Sequence, residues 1–346
     1  MNKQLQNRKN PKFKIAISCA ILIFLIIVSM GLGHYEVSFY DTCKILFSKL
    51  NDVFGGLIPI EKTWTESMEL AVFNIRLPRI VLACLVGACL AVAGASYQGI
   101  FVNPMAAPDI LGASSGAAFG AAIAILLGFD TIMITVFAFI FSLITVLLVF
   151  GVAKLAPGIQ VVNLILAGIM TSALFEAGTS YIKLVADTSD KLPKITYWMM
   201  GSLANANFQD IALVIVPILI GFVPLFILRW RLNLLTLKDD EARSLGVNTT
   251  RTRLLVIICS TLITSAVVSV SGTIGWVGLV IPHLCRKIFG NNYRYLIPSS
   301  TVVGAIFLLL VDNFARNLLS VEIPIGILTA VIGVPFFLFL LLRKNQ

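Results

Sequence analysis

Five ionisable residues stand in or beside apolar sequence, where charge is expensive and is kept for a reason. Glu176 lies within the apolar stretch 160–181, and a carboxylate there reads either as part of a translocation pathway or as a carboxyl protonated or hydrogen-bonded between helices. Asp312 and Arg316 are four residues apart, close enough to pair on one helical face or to serve in docking. Arg76 and Arg79 flank Leu77-Pro78 at the head of another apolar run, where they fit either a docking surface or snorkelling anchors. The usual catalytic groups are sparse. The two histidines, His34 and His283, are too few for a His-rich metal cage. Cys19, Cys43, Cys84, Cys89, Cys259 and Cys285 form no C-x-x-C pair, which argues against zinc, disulfide and redox roles. No G-x-x-x-x-G-K-[ST] run supplies a phosphate loop.

The elements that hold these residues follow from composition. Of 346 residues 58% are apolar and 12% charged, against about 45–50% and about 25% in soluble domains. The mean hydropathy of +0.95 excludes a soluble enzyme, a disordered chain and a nucleic-acid reader, because so much apolar surface cannot be gathered into one core. At about 20 apolar residues per span, the sequence predicts ten helices over 13–33, 76–99, 111–129, 131–153, 160–181, 210–229, 253–271, 275–289, 296–315 and 324–342. The first is expected to be an uncleaved anchor, since no small-x-small cleavage site follows it.

Net charge is +9, and its distribution sets the orientation. With the N-terminus inside, the internal segments collect 17 of the 26 basic residues, among them Lys3, Arg8, Lys9, Lys154, Lys238 and Lys344, but only Asp109, Asp239, Asp240 and Glu241 of the 17 acidic ones. The expected fold is therefore an all-α polytopic membrane protein, one domain over 1–346, with both termini cytoplasmic.

Segment 34–75 is expected outside as short interfacial helices, and segment 230–252 inside as one or two short helices stopped at Gly246. Gly112, Gly116 and Gly120 recur at four-residue spacing and predict a central, closely packed helix. The run from Arg76 to Asn103-Pro104 faintly echoes that from Arg251 to Ile281-Pro282 in the opposite orientation, as inverted transporter repeats do.

RLPRIVLACLVGACLAVAGASYQGIFVNPMAAPDILGASSGAAFGA at 76–121 resembles the segment that marks permeases of the iron-siderophore, haem and vitamin B12 class of ABC importers, the FecCD type. YWMMGSL at 197–203, ARSLGVNTTRTR at 242–253, GTIGWVGLVIPHLCRKIFG at 272–290, LIPSSTVVGAIFLLLVDNFAR at 296–316 and EIPIGILTAVIGVPFF at 322–337 continue the resemblance in order. Met105 and Lys238 depart from it, standing where Leu and Gly are usual.

The resemblance implies a vitamin B12 permease-like bundle of ten helices in the cytoplasmic membrane of a prokaryote. Its expected partners are a second permease subunit, two cytoplasmic ATPases that bind ATP and Mg, and an external binding protein. Carried over by residue, Arg76, Arg79 and Arg316 look like an outward basic surface that receives acids of the binding protein. Asp239, Glu241, Ala242, Arg243, Leu245 and Gly246 look like the loop that couples to the ATPase. The chain itself would hold no cofactor and catalyse nothing, and the favoured cargo is a ferric siderophore, with haem or cobalamin as alternatives. An ion-coupled transporter would carry ionisable residues in several spans, where this chain offers essentially Glu176. An intramembrane enzyme would need a nucleophile and base or a metal set, and His283 has no evident acidic partner in sequence.

Overall fold

The computed structural model describes residues 10–33, 35, 37–53, 61–157, 160–237, 239–319 and 321–343. Lys3, Arg8, Lys9, His34, Lys238 and Lys344 lie outside the described residues. The helices in chain order are α1 (Pro11–Gly31), α2 (Phe39–Val53), α3 (Glu66–Leu70), α4 (Leu77–Ile100), α5 (Ala113–Leu126), α6 (Thr131–Leu155), α7 (Gln160–Val185), α8 (Lys191–Met199), α9 (Phe208–Leu228), α10 (Arg231–Leu234), α11 (Asp239–Ser244), α12 (Thr249–Ser271), α13 (Val277–Phe289), α14 (Tyr293–Asn317) and α15 (Ile325–Arg343). A π-turn, Ala71–Arg76, joins α3 to α4, and a 3-10 turn, Pro108–Leu111, precedes α5. Each of the ten segments expected to span is helical, and among the described residues seven helices are long and apolar enough to cross a membrane. Ala113–Leu126 and Ile325–Phe339 are shorter apolar helices.

The bundle is built around α4, which is buried along almost its whole length and packs against α14, α12 and α13. Close approach requires glycine at these crossings. A methyl group on Gly87 would strike the Gly304 carbonyl of α14, and one on Gly94 would strike the Gly278 carbonyl of α13. The stripe expected on the third span behaves similarly: Gly116 and Gly120 of α5 lie against Thr145 and Phe137 of α6. That helix is shorter than expected. Gly112, at φ 74, ends the 3-10 turn and starts α5 after a tight turn that an L side chain disfavours.

Short polar side chains fasten the helices where no water competes. Ser142 of α6 donates to the Ala113 carbonyl at 2.8 Å and meets Ser265 of α12 at 2.7 Å. Tyr97 of α4 meets Thr261 of α12, hydroxyl to hydroxyl, at 2.8 Å. The outer helices instead expose large apolar side chains, Phe24 on α1, Leu147 on α6, Leu184 on α7 and Ile227 on α9 among them. This is the surface of a protein solvated by lipid or covered by other subunits.

Candidate docking and coupling sites

At the end of the bundle expected to face outward, α4, α14, α15 and α1 converge on a charged cluster. Arg79 lies where the preceding π-turn runs without a break into α4, one residue after Pro78. The preceding π-turn closes with Leu77 N–H bonding back to the Val72 carbonyl, five residues away. Such turns are rare and collect at functional sites.

Arg79 Nε donates to Asp312 Oδ1 at 2.9 Å, and its Nη1 donates to Glu322 Oε1 at 2.8 Å. Asp312 is also within 3.8 Å of Arg316 Nε through Oδ2, so the i,i+4 pair is present and one carboxylate serves two guanidiniums. The other arginine contacts are neutral. Arg316 Nη2 donates to the Ser29 carbonyl at 2.9 Å and also to Asn313 Oδ1. Arg76 donates to the Met30 and Tyr35 carbonyls, both at 2.6 Å.

The expected open basic surface is therefore not what the single chain presents. Arg76, Arg79 and Arg316 are 4%, 6% and 4% exposed, and the Asp312 side chain is at 0%. Burial is tolerable because each guanidinium has oxygen acceptors, and two have a carboxylate. Glu322, at 30%, is the accessible member of the cluster. Sequence reasoning missed it: it precedes Ile323-Pro324 in a loop, and its partner is 243 residues away.

Glu322 leads into a tightly joined seam. Ile325 N–H donates to the Gly201 carbonyl at 2.8 Å and Gly326 N–H to the Met200 carbonyl at 3.1 Å, tying the start of α15 to the residues that follow α8. Thr273 Oγ1 bonds to the Met199 carbonyl, bringing in the α12–α13 loop. In that loop Trp276 is held at φ 70, a strained conformation for an aromatic residue and one that the sequence does not announce.

At the opposite end, α10 and α11 form the short helices expected of segment 230–252. Gly246, at φ 80, closes α11: its N–H bonds to the Arg243 carbonyl at 2.9 Å, and Val247 N–H bonds to the Ala242 carbonyl at 3.2 Å. This is a Schellman motif, and the two residues at the positions of its usual apolar contact, Ala242 and Val247, are both buried. Ala242, grouped above with the coupling residues, faces into the chain and seats the helix. Glu241, Arg243 and Leu245 are exposed, Leu245 by 60%. Nothing is described of the Asp239 side chain.

Glu176 is exposed on α7, where its Oε1 accepts a hydrogen bond from Ser115 Oγ of α5 at 3.1 Å. Ala173, Ala177 and Ser180, also exposed, share its face at helical spacing.

The FecCD transport family model matches residues 21–343. The chain belongs to the FecCD transport family. It is 40% identical over 333 residues to the molybdate import system permease protein of Haemophilus influenzae, covering 96% of each chain. It is 38% identical over 333 residues to a probable iron chelatin transport system permease protein of Helicobacter pylori, covering 96% of this chain and 98% of that one. The hemin transport system permease protein of Yersinia pestis is 35% identical over 350 residues, with 99% of each covered. A solved structure described as an inward-facing conformation of a metal-chelate type ABC transporter superposes with a TM-score of 0.84 at 39% identity, covering 96% of this chain and 99% of that one. This FecCD chain is thus a permease of an ABC importer, a class that works in the cytoplasmic membrane with an ATPase and a second permease subunit.

Proposed function

We propose that this FecCD permease carries a ferric siderophore inward across the cytoplasmic membrane, through ten spans with both termini inside. The arrangement of the two ends carries the reading: a charged cluster outside and an exposed short helix inside, joined by the buried α4 and α14. The strong excess of basic residues at the α11 end supports the orientation. Relatives named for iron chelatin transport and ferric citrate import support the cargo.

The proposed mechanism draws on these contacts. An external binding protein presents acidic residues to Arg76, Arg79 and Arg316. Because Glu322 already occupies Arg79, docking exchanges one carboxylate for another and releases the loop that leads into α15. That loop is hydrogen-bonded to the residues after α8, so the exchange loosens the outer seam around the pathway. On the inner side, ATP and Mg act in the partner ATPases, whose closure pushes on Glu241, Arg243 and Leu245 of the coupling loop. Asp239 belongs to the same segment. Ala242 and Gly246 fix its shape.

The test combines docking and transport in nanodiscs with the cognate binding protein. In chains whose folding and insertion are confirmed, Arg79→Glu should weaken docking at least tenfold at low salt, and reversing the matching acid should restore part of it. Glu322→Gln should strengthen docking by removing the internal competitor. Equal affinities for both variants and the native chain would remove the docking assignment. Uptake of a ferric siderophore, and not of haem, cobalamin or molybdate, is the outcome that supports the cargo; the molybdate permease relative makes that last anion the sharpest competitor.

A further inference from the structure

At the end of the bundle that carries α11, helices α1, α13 and α14 enclose a cavity of about 590 Å3. Its charged lining is entirely cationic among the described residues: Lys14 from α1, with Arg286 and Lys287 from the last turn of α13. Asn292 and Tyr295, at the start of α14, close it. A neighbouring cavity of about 460 Å3 shares Asn292 and adds Arg229, Arg294 and Trp230.

The cations here are held by neutral groups. Lys14 Nζ donates to the Ile288 carbonyl at 2.6 Å. The Arg286 guanidinium donates to the side-chain oxygen of Gln98, itself buried, and to the Tyr293 hydroxyl at 3.3 Å. None of Lys14, Arg286 and Lys287 takes part in an ion pair among the described residues. A half-buried guanidinium oriented by neutral acceptors keeps its whole charge where water is scarce, and a phosphate oxygen is the group that completes it.

What lies beside the cavity distinguishes a lipid from a free anion. α1 leaves Phe13 exposed beside Lys14 and Ile17, Ile21 and Phe24 exposed further along the helix, a strip suited to acyl chains. Trp230, 55% exposed, has the character of a membrane-interface aromatic. We propose that this pocket binds the phosphodiester headgroup of an anionic phospholipid, with its chains along the open face of α1. The leaflet, and only the leaflet, rests on the orientation proposed above; under it the lipid belongs to the inner one.

Native mass spectrometry of the purified, delipidated protein tests the site, using phosphatidylglycerol, phosphatidylcholine of the same acyl composition, and inorganic phosphate. One phosphatidylglycerol per chain should be retained where phosphatidylcholine is lost. Lys14→Gln and Lys287→Gln should each weaken retention about tenfold, the usual effect of one charge-assisted hydrogen bond. Lys154→Gln, at the same end of the bundle on α6, should leave it unchanged. Equal retention of the two lipids, or an equal loss in Lys154→Gln, would reduce the site to diffuse attraction and overturn the proposal. Inorganic phosphate binding as tightly as phosphatidylglycerol would overturn the lipid source, and displacement of the lipid by added ATPase would make this a subunit contact instead. Detergent solution has no sides, so a reversed chain would still bind; labelling of Lys287→Cys in sealed vesicles, against the native chain with its six cysteines, reports the orientation separately.

Discussion

A carboxylate shared by two buried guanidiniums is worth most when it is missing. Asp312→Ala would leave Arg79 and Arg316 as buried cations with one carboxylate, Glu322, between them, a loss of about 3–5 kcal/mol. Glu322→Gln keeps a hydrogen-bond acceptor and acts on a side chain that is 30% exposed, so about 1 kcal/mol or less is expected. Thermal unfolding in detergent should therefore fall sharply for the first variant and barely for the second. Equal shifts would mean that Asp312 is not the keystone of the cluster. The sequence displayed the types and the local pair: Asp312 and Arg316 are four apart, and a helix brings them together. It did not display the contacts of Arg79 with Asp312 and Glu322, made across 233 and 243 residues, nor the burial that turns an expected surface into an internal network. Arg79 stands near the start of α4 and Glu322 in the loop before α15, and only the packing of α4 against α14, with that loop folded back over it, makes them neighbours.

Among the elements, the long apolar runs were legible because lipid imposes one rule on all of them: about 20 apolar residues and no unsatisfied backbone. The short ones were less so. α8 is a nine-residue amphipathic helix in a loop, and the π-turn before α4 leaves no mark in composition. α11 lies between these extremes, since Gly246 advertises its stop while its facing direction depends on Ala242 and Val247 finding the bundle. This division of labour gives a paired prediction. Leu245→Asp changes an exposed residue, so the protein should insert and unfold as before while ATPase co-purification and transport fall at least tenfold. Ala242→Asp buries a charge beneath α11 and should cost several kcal/mol of stability before any question of coupling arises. Retained ATPase association and uptake in Leu245→Asp would remove α11 from the coupling contact.

For the whole molecule, the informative surface is the one that the single chain leaves uncovered. α7 exposes Leu166, Ile169, Met170 and Leu174 together with Ala173, Glu176, Ala177 and Ser180, and it packs against α5 and α6 on its other side. Lipid satisfies the first set and not the second, because a carboxylate in hydrocarbon is costly even with the one hydrogen bond that Ser115 gives it. Small residues beside it permit close approach by another helix or leave room for water. The second permease subunit that FecCD membership implies is the natural cover, and the space between two such faces would be the pathway. The sequence marked Glu176 by its chemistry, but whether it faced the core, lipid or a partner depended on the rotation of α7, which composition does not set. Glu176→Gln keeps the shape and the bond from Ser115 while removing the charge. In the assembled importer it should alter uptake severalfold, leaving the mass of the complex and its detergent stability unchanged. A stabilising carboxyl between helices would instead show as an earlier unfolding transition with normal uptake per folded complex, and that result would take Glu176 out of the pathway.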